Sequence, residues 1–391
     1  MTASPSWRDF DPALFLRDYW QQKPLLIRQA FTRWENPLAP EELAGLACEE
    51  EVESRLITQS IKSGEFSVEN GPLPESRFGT LAKSHWTLLV QAVDLWVPEV
   101  AALIEPFRFI PDWRIDDVMV SYAADQGGVG PHYDQYDVFL IQGLGRRRWR
   151  IGQPCDRRTP LVDHPQLRLL PEFEAVEEWL LEPGDILYVP ARLAHWGIAE
   201  GSDCMTYSIG FRAPSRADLI GYWCDEVLST LDDDDRYTDG PLDATANPGE
   251  IDAAALDRLQ RMVLDRLGDR DAFARWFGEW ITERKYSDFD VTPERPFQPV
   301  QLLEKLKKKP VLTVSAGIRL AFIRRGDAVL LFADGQQRAV PESLHDAIEA
   351  LCRDRHLQPA ESQLRDGGAE WLCALVNEGV LQLADGTSDQ R

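Results

Sequence analysis

The sequence predicts a mainly β core of the jelly-roll kind, followed by a helical segment and a small α/β module resembling a winged helix. Three observations carry this. Between residues 110 and 215 the chain breaks into short β-type runs, IDDVMVSYA, DVFLIQG, RRRWRIG, VEEWLL, GDILYVP, HWGIA and CMTYSIGF, separated by Gly and Pro. Closely spaced short strands of this sort close into antiparallel sandwiches or barrels. After Pro214 apolar residues recur at spacings of three and four, as in Leu256, Leu259, Val263 and Leu267, the period of an amphipathic helix. Beyond the Pro-rich stretch VTPERPFQP the pattern alternates helix (VQLLEKLKK), strands (LTV, RLAFIRR, AVLLFA), helices (SLHDAIEALC, AEWLCALVNEG) and a last strand (VLQLA).

These textures divide the 391 residues into a flank (1–109), the β core (110–215), a helical region (216–290) and the winged-helix-like module (291–391). The flank reads as a helix around Pro12 to Tyr19, a short strand at Pro24 to Ile27 and a second helix near Trp86 to Trp96. In the helical region Phe273, Trp276, Phe277, Trp280 and Ile281 form an aromatic stripe that packs either on its own domain or on a second copy of the chain. The acidic run Asp232 to Asp235 and the following TDGPLDATANPGE read as a solvated loop.

Composition narrows the partners. Hydrophobic residues are 44% and charged residues 27%, an ordinary globular balance that excludes disorder as the main state. The formal charge is -23, and residues 301–391 contribute only -1 of it, from 12 basic and 13 acidic side chains. The remaining body repels phosphate backbones and attracts basic proteins. No direct DNA binding is expected of the near-neutral C-terminal module, whose basic cluster is Lys305, Lys307, Lys308 and Lys309. Six cysteines without a CxxC pair read as reduced core residues. With no apolar run long enough to span a bilayer and no signal-like start, a cytoplasmic location without membrane attachment is expected.

Chemistry concentrates in the β segment. In PHYDQYDVF, His132 and Asp134 are two apart, so on extended backbone they share a face. His195, in VPARLAHWG, lies 63 residues later, far enough for the sheet to return a third ligand. Two histidines and one carboxylate form the facial triad of non-haem iron(II), Fe(II), oxygenases, which leaves positions open for small molecules; zinc and nickel also accept these ligands. Oxygenases of this type use 2-oxoglutarate, whose far carboxylate needs a buried cation. In GRRRWRIG, alternation separates Arg147 and Trp149 from Arg146, Arg148 and Arg150. If the Trp149 face turns inward, Arg147 requires an anion there, because a buried guanidinium without a partner is costly. The other three arginines suit surface carboxylates.

The combination HYDQYDVFLIQGLGRRRWRIG, LEPGDILYVPARLAHWG and YSIGFRAPS resembles the JmjC-type, cupin-like ribosomal oxygenases, most closely the bacterial arginine hydroxylases of large-subunit ribosomal protein sixteen. YWQQKPLLIRQAF, PDWRIDDVMVSY and the WFGEW helix extend the resemblance over most of the chain. It implies a double-stranded β-helix, a helical dimerisation region making a homodimer, and a winged-helix-like C-terminal domain. It implies catalysis at His132, Asp134 and His195 as metal ligands, with 2-oxoglutarate and O2 as co-substrates and a basic ribosomal protein as substrate. The family's 2-oxoglutarate base lies fifteen residues after the first metal histidine, which is Arg147 here; many relatives carry Lys there, whereas Arg grips a carboxylate through two parallel hydrogen bonds. Ser121 and Ser208 are expected to add hydroxyl donors to the co-substrate. For the substrate guanidinium the expected acceptors are Asp116 or Asp117, only one of which can face inward, with Tyr136 and Gln142; Asp116 is favoured over Asp117. A noncatalytic metal-binding cupin scaffold, or an oxygenase of another protein or a small molecule, are the alternatives.

Overall fold

The computed structural model describes residues 4–239, 247–286 and 292–384. The expected loop at 240–246 and the start of the Pro-rich linker at 291 lie outside the described residues. Two compact units divide the chain, Met1–Ala213 and Pro214–Arg391.

In the first unit nine strands among the described residues join in one sheet: β1 (Leu25–Ile27), β2 (Ser54–Gln59), β3 (Phe66–Asn70), β4 (Trp86–Val90), β5 (Ile115–Ala123), β6 (Val138–Pro154), β7 (Glu177–Leu181), β8 (Ile186–Val189) and β9 (Leu193–Phe211). Their order is β1-β8-β6-β9-β5-β4-β2-β3, with β7 also paired to β6, and every pairing is antiparallel. Runs expected as separate strands fuse: DVFLIQG with RRRWRIG into β6, HWGIA with CMTYSIGF into β9. Register shifts between Gln142 and Arg146 bend the fused pair, as β-bulges do. Gly145 sits at that bend with φ of 58°, and a side chain there would meet the Asp203 carbonyl oxygen at 2.8 Å. The segment expected as a helix near Trp86 to Trp96 is instead strand β4 followed by one 3₁₀ turn at Val93–Leu95. WTLLV pairs with β2 and β5 on both edges, and that ladder overrides a weak helical pattern.

Alternation on β5, β6 and β9 sorts two cores. One face carries Val118, Val120, Phe139, Ile141, Tyr207, Ile209 and Phe211 into the main core, where the flank contributes Phe15, Phe31 and Phe107. The other face carries Val138, Leu140, Trp149 and Ile151 into a smaller core with Leu181, Leu187 and Val189. Residues before β5 thus both extend the sheet, through β1 to β4, and cover one of its faces, through Phe15, Phe31 and Phe107. A buried polar knot fixes this cover: Asp137, fully buried, accepts from the Tyr188 hydroxyl at 2.7 Å and from Gln21 Nε2 at 3.1 Å, while the Gln21 backbone N–H donates to the Tyr188 oxygen at 2.7 Å. Burial, then the charge of Asp137, pushes the Tyr188 phenol well above its ordinary value.

The second unit begins with helices Arg216–Ser229, Ala253–Leu267 and Arg270–Thr282. The aromatic stripe packs largely on its own unit. Trp276 and Ile281 are buried, and Trp223 lies 5.4 Å from Phe273 and 5.5 Å from Trp276. Leu302, Leu312, Leu331, Ile348 and Leu372 centre the following module, built on sheets of Leu312–Val314, His356–Leu357 and Leu381–Leu383, and of Leu320–Arg325, Ala328–Ala333 and Gln336–Ala339.

Replacing Asp137 by Ala leaves the buried Tyr188 phenol and the Gln21 amide without their acceptor and Arg114, 3.7 Å away, without its counter-charge. A loss of about 3 kcal/mol in unfolding free energy is expected, measured by denaturant titration of the intact chain.

Candidate active site

The two histidines are brought together by backbone. His132 N–H donates to the His195 carbonyl at 3.1 Å, and His195 N–H returns a bond to the His132 carbonyl at 2.8 Å. The ring centroids stand 4.3 Å apart. Each imidazole is oriented the same way: His132 Nδ1 meets the Gly130 carbonyl at 2.9 Å, and His195 Nδ1 meets the Leu193 carbonyl at 3.0 Å. A carbonyl only accepts, so both Nδ1 atoms carry the hydrogen and both Nε2 lone pairs are left for a ligand. Asp134 Oδ2 lies 3.6 Å from His195 Nε2. The three donor atoms fall within 4.8 Å of one another, one from each of His132, Asp134 and His195. The Asp134 carbonyl accepts the Arg192 N–H at 2.7 Å, which ties the turn bearing Asp134 to the start of β9. Burial, reinforced by His132, pushes His195 down to about 4 against the opposing pull of Asp134, so it is neutral at physiological pH. Two imidazoles and a carboxylate suit a divalent transition metal, and the Nδ1–H to carbonyl bonds are the outer support such ligands require.

Further along the same strand face the register sets Ile151 opposite His195, Trp149 opposite Gly197 and Arg147 opposite Ala199. Arg147 is only 4% exposed. Its Nε donates to Cys204 Sγ at 3.4 Å, whereas its Nη2 is buried without a partner. Arg148 and Arg150 point the other way and reach Glu178, each at 2.7 Å, and Arg148 also reaches Glu200. A guanidinium nitrogen held dry and unpaired calls for an anion.

The remaining expected residues divide. Ser121 and Ser208 are buried on the concave face, in register with Thr206 and Met119 respectively, and Ser121 Oγ is 3.5 Å from the Thr206 carbonyl. Asp117 is 5% exposed and both its oxygens accept from Gln91 Nε2, at 3.0 and 2.9 Å. Asp116 turns aside to Arg212, 3.7 Å away. The preference for Asp116 is therefore corrected: Val118 and Val120, whose face Asp116 shares by alternation, pack into the main core, whereas Asp117 shares the opposite face with Met119 and Ser121. Tyr136 is 43% exposed, and its phenol is pushed up chiefly by the charge of Asp134, then by burial, Asp117 and Asp116. Gln142 is corrected as a substrate contact. It is fully buried, donating to the Leu144 carbonyl at 2.7 Å and to Cys204 Sγ at 3.5 Å while accepting from Thr206 Oγ1 at 3.3 Å, so its amide is engaged within the sheet beside Arg147. Cys204 and Thr206, which complete that network, carry no local motif; only the β6–β9 register exposes them.

This fold and site define a JmjC-type domain, and residues 102–219 match the JmjC domain model while residues 263–382 match the ROXA-like winged helix. The second match begins inside the segment expected as helical. The chain is 39% identical to Ribosomal protein uL16 3-hydroxylase of Escherichia coli (strain K12), over 96% of each protein. It is 38% identical to a Probable ribosomal oxygenase of Haemophilus influenzae, over 69% of this chain and 67% of that one. Among solved structures it superposes on E. coli YcfD with a TM-score of 0.88 at 38% identity, covering 97% of this chain and 99% of that one. It also matches YcfD in complex with cobalt and 2-oxoglutarate, with a TM-score of 0.83 at 39% identity over 95% and 98% of the two chains. The chain belongs to the JmjC-type ribosomal oxygenases.

Because the unfolded chain protonates a histidine near pH 6.5 while folded His195 resists until about 4, the unfolded state binds the extra proton between those values. Metal-free protein should therefore lose stability as pH falls from about 6.5 towards 4, and His195→Gln should flatten that slope in thermal scans.

Proposed function

We propose that this protein is an iron(II)- and 2-oxoglutarate-dependent hydroxylase of an arginine side chain in large-subunit ribosomal protein uL16. The observation that carries the reading is the pairing, on one concave strand face, of the His132, Asp134 and His195 donor set with the dry, unpartnered Nη2 of Arg147. The similarity to a uL16 3-hydroxylase, and to a structure holding cobalt and 2-oxoglutarate, supports the substrate and the co-substrate.

With iron, 2-oxoglutarate and O2 bound, such a site supplies oxidative decarboxylation to succinate and carbon dioxide and places one oxygen atom on a substrate C–H bond. The chain's own residues do the rest. The Nδ1–H bonds to Gly130 and Leu193 hold both imidazoles in the ligand tautomer. Arg147 neutralises the far carboxylate and fixes its orientation through parallel N–H donors, with Ser121 and Ser208 on the neighbouring strands as hydroxyl donors. Asp117, with Tyr136 beside it, accepts from the entering guanidinium. The charge of -22 carried by residues 1–300, the balance of the overall -23, draws in a basic ribosomal protein. The cytoplasm, where ribosomal proteins are made, is the fitting location, and among the described residues no helix is long and apolar enough to cross a membrane.

The helical region supports a homodimer. Ile220, Leu256, Leu259 and Val263 are 57%, 54%, 41% and 55% exposed, an apolar surface that a second copy would cover. Trp276 serves its own core, so the interface is better probed on the preceding helices. Changing Leu256 and Val263 together to Glu should give folded monomers by light scattering where the wild type is dimeric at micromolar concentration.

Asp134→Ala removes the one carboxylate of the donor set and should abolish both metal retention and hydroxylation while the fold survives. Arg147→Ala should leave metal binding nearly intact and raise the 2-oxoglutarate requirement at least about a hundredfold, with Arg147→Lys milder. Succinate release and a gain of one oxygen on an arginine of uL16, followed by mass spectrometry, test the function itself. Succinate release dependent on a different protein or a small molecule would move the substrate assignment elsewhere.

A further inference from the structure

We infer that Trp149 is part of the co-substrate seat, its indole Nε1–H donating a hydrogen bond to an oxygen of the bound dicarboxylate. This rests on the reading of the site as a 2-oxoglutarate site and deepens it. Trp149 is 5% exposed and packs among Val138, Leu140, Leu181 and Leu187, where an aliphatic side chain would serve equally as core. Its Nε1 nevertheless lies buried without a partner. Buried Trp N–H groups normally find an acceptor. The other dry donor on this strand face is Arg147 Nη2, two residues away.

The ring also stands where the co-substrate must run. Its centroid is 5.8 Å from the Arg147 guanidinium carbon on one side and 5.9 Å from the His195 ring on the other. A five-carbon dicarboxylate that reaches from the metal ligands to Arg147 passes along this indole. The ring is locked in that place by close approach to β9: a side chain at Gly197 would lie 2.7 Å from Trp149 Cη2 and 2.9 Å from Cζ2. The benzo edge is thereby packed closely against the β9 backbone. Two preset donors that must each meet an oxygen of the ligand would make the seat selective for a dicarboxylate of fixed length, since an orphaned donor penalises any ligand that fails to meet it.

The test uses the full chain loaded with cobalt(II) under anaerobic conditions, titrated with 2-oxoglutarate by calorimetry, beside Trp149→Phe, which keeps an aromatic ring and deletes the N–H. Binding roughly tenfold weaker in the variant is expected, with cobalt affinity unchanged. In zinc-loaded wild-type protein, the indole ¹H–¹⁵N resonance assigned to Trp149 should move on adding 2-oxoglutarate, a readout that does not depend on the variant folding. A Phe variant that binds 2-oxoglutarate within twofold of wild type, or a Trp149 resonance that stays in place at saturation, overturns the inference and leaves the co-substrate reading intact. Failure of the wild-type protein to bind 2-oxoglutarate overturns both.

Discussion

Everything at the site depends on the antiparallel register between β6 and β9. Ile151 faces His195, Trp149 faces Gly197 and Arg147 faces Ala199, and the isolated pair of His132 with His195 continues the same alignment beyond the strand. A slip of one residue would reverse every side chain, carrying Arg147 and Trp149 out to solvent and Arg148 and Arg150 into the barrel. The register is held by alternation itself. The inward residues of β6 are apolar or dry, while the outward arginines meet Glu178 and Glu200. The bend at Gly145 lets one pair of long strands serve the main core at one end and the site at the other.

Electrostatics then makes the arrangement specific. An unpartnered guanidinium nitrogen in a dry wall costs stability in the free protein, and a carboxylate offsets that cost on binding. Burial keeps His195 neutral, so a divalent ion can meet its Nε2 without displacing a proton from it. In the proposed reading, Asp117 and Tyr136 accept from a basic substrate side chain while Arg147 donates to the co-substrate.

Much of this was legible in the sequence where the signal is local. The HxD spacing on extended backbone predicts the shared face of His132 and Asp134, and alternation in RRRWRIG separates Arg147 with Trp149 from its neighbours. Signals that depend on distant packing were not legible. Alternation groups Asp116 with Val118 and Val120 and Asp117 with Met119 and Ser121, but only the packing of Val118 and Val120 into the main core shows which face is left for the site. Gln142 shares the concave strand face but is engaged by Cys204 and Thr206, residues more than sixty positions away whose proximity only the sheet pairing reveals. Trp86 to Trp96 looked helical because its partners on β2 and β5 are distant in sequence. The aromatic stripe was legible as an amphipathic face, but which surface it covers depends on Trp223, on another helix.

The central claim is that one dicarboxylate spans the concave face from the His132, Asp134 and His195 donors to Arg147. A crystal structure of this protein grown anaerobically with cobalt(II) and 2-oxoglutarate tests it most directly. The account predicts the keto acid end on a metal held by those three side chains and the far carboxylate within hydrogen-bonding distance of Arg147 Nη2. A dicarboxylate bound with Arg147 Nη2 still unpartnered, or a metal held by other residues, would contradict it.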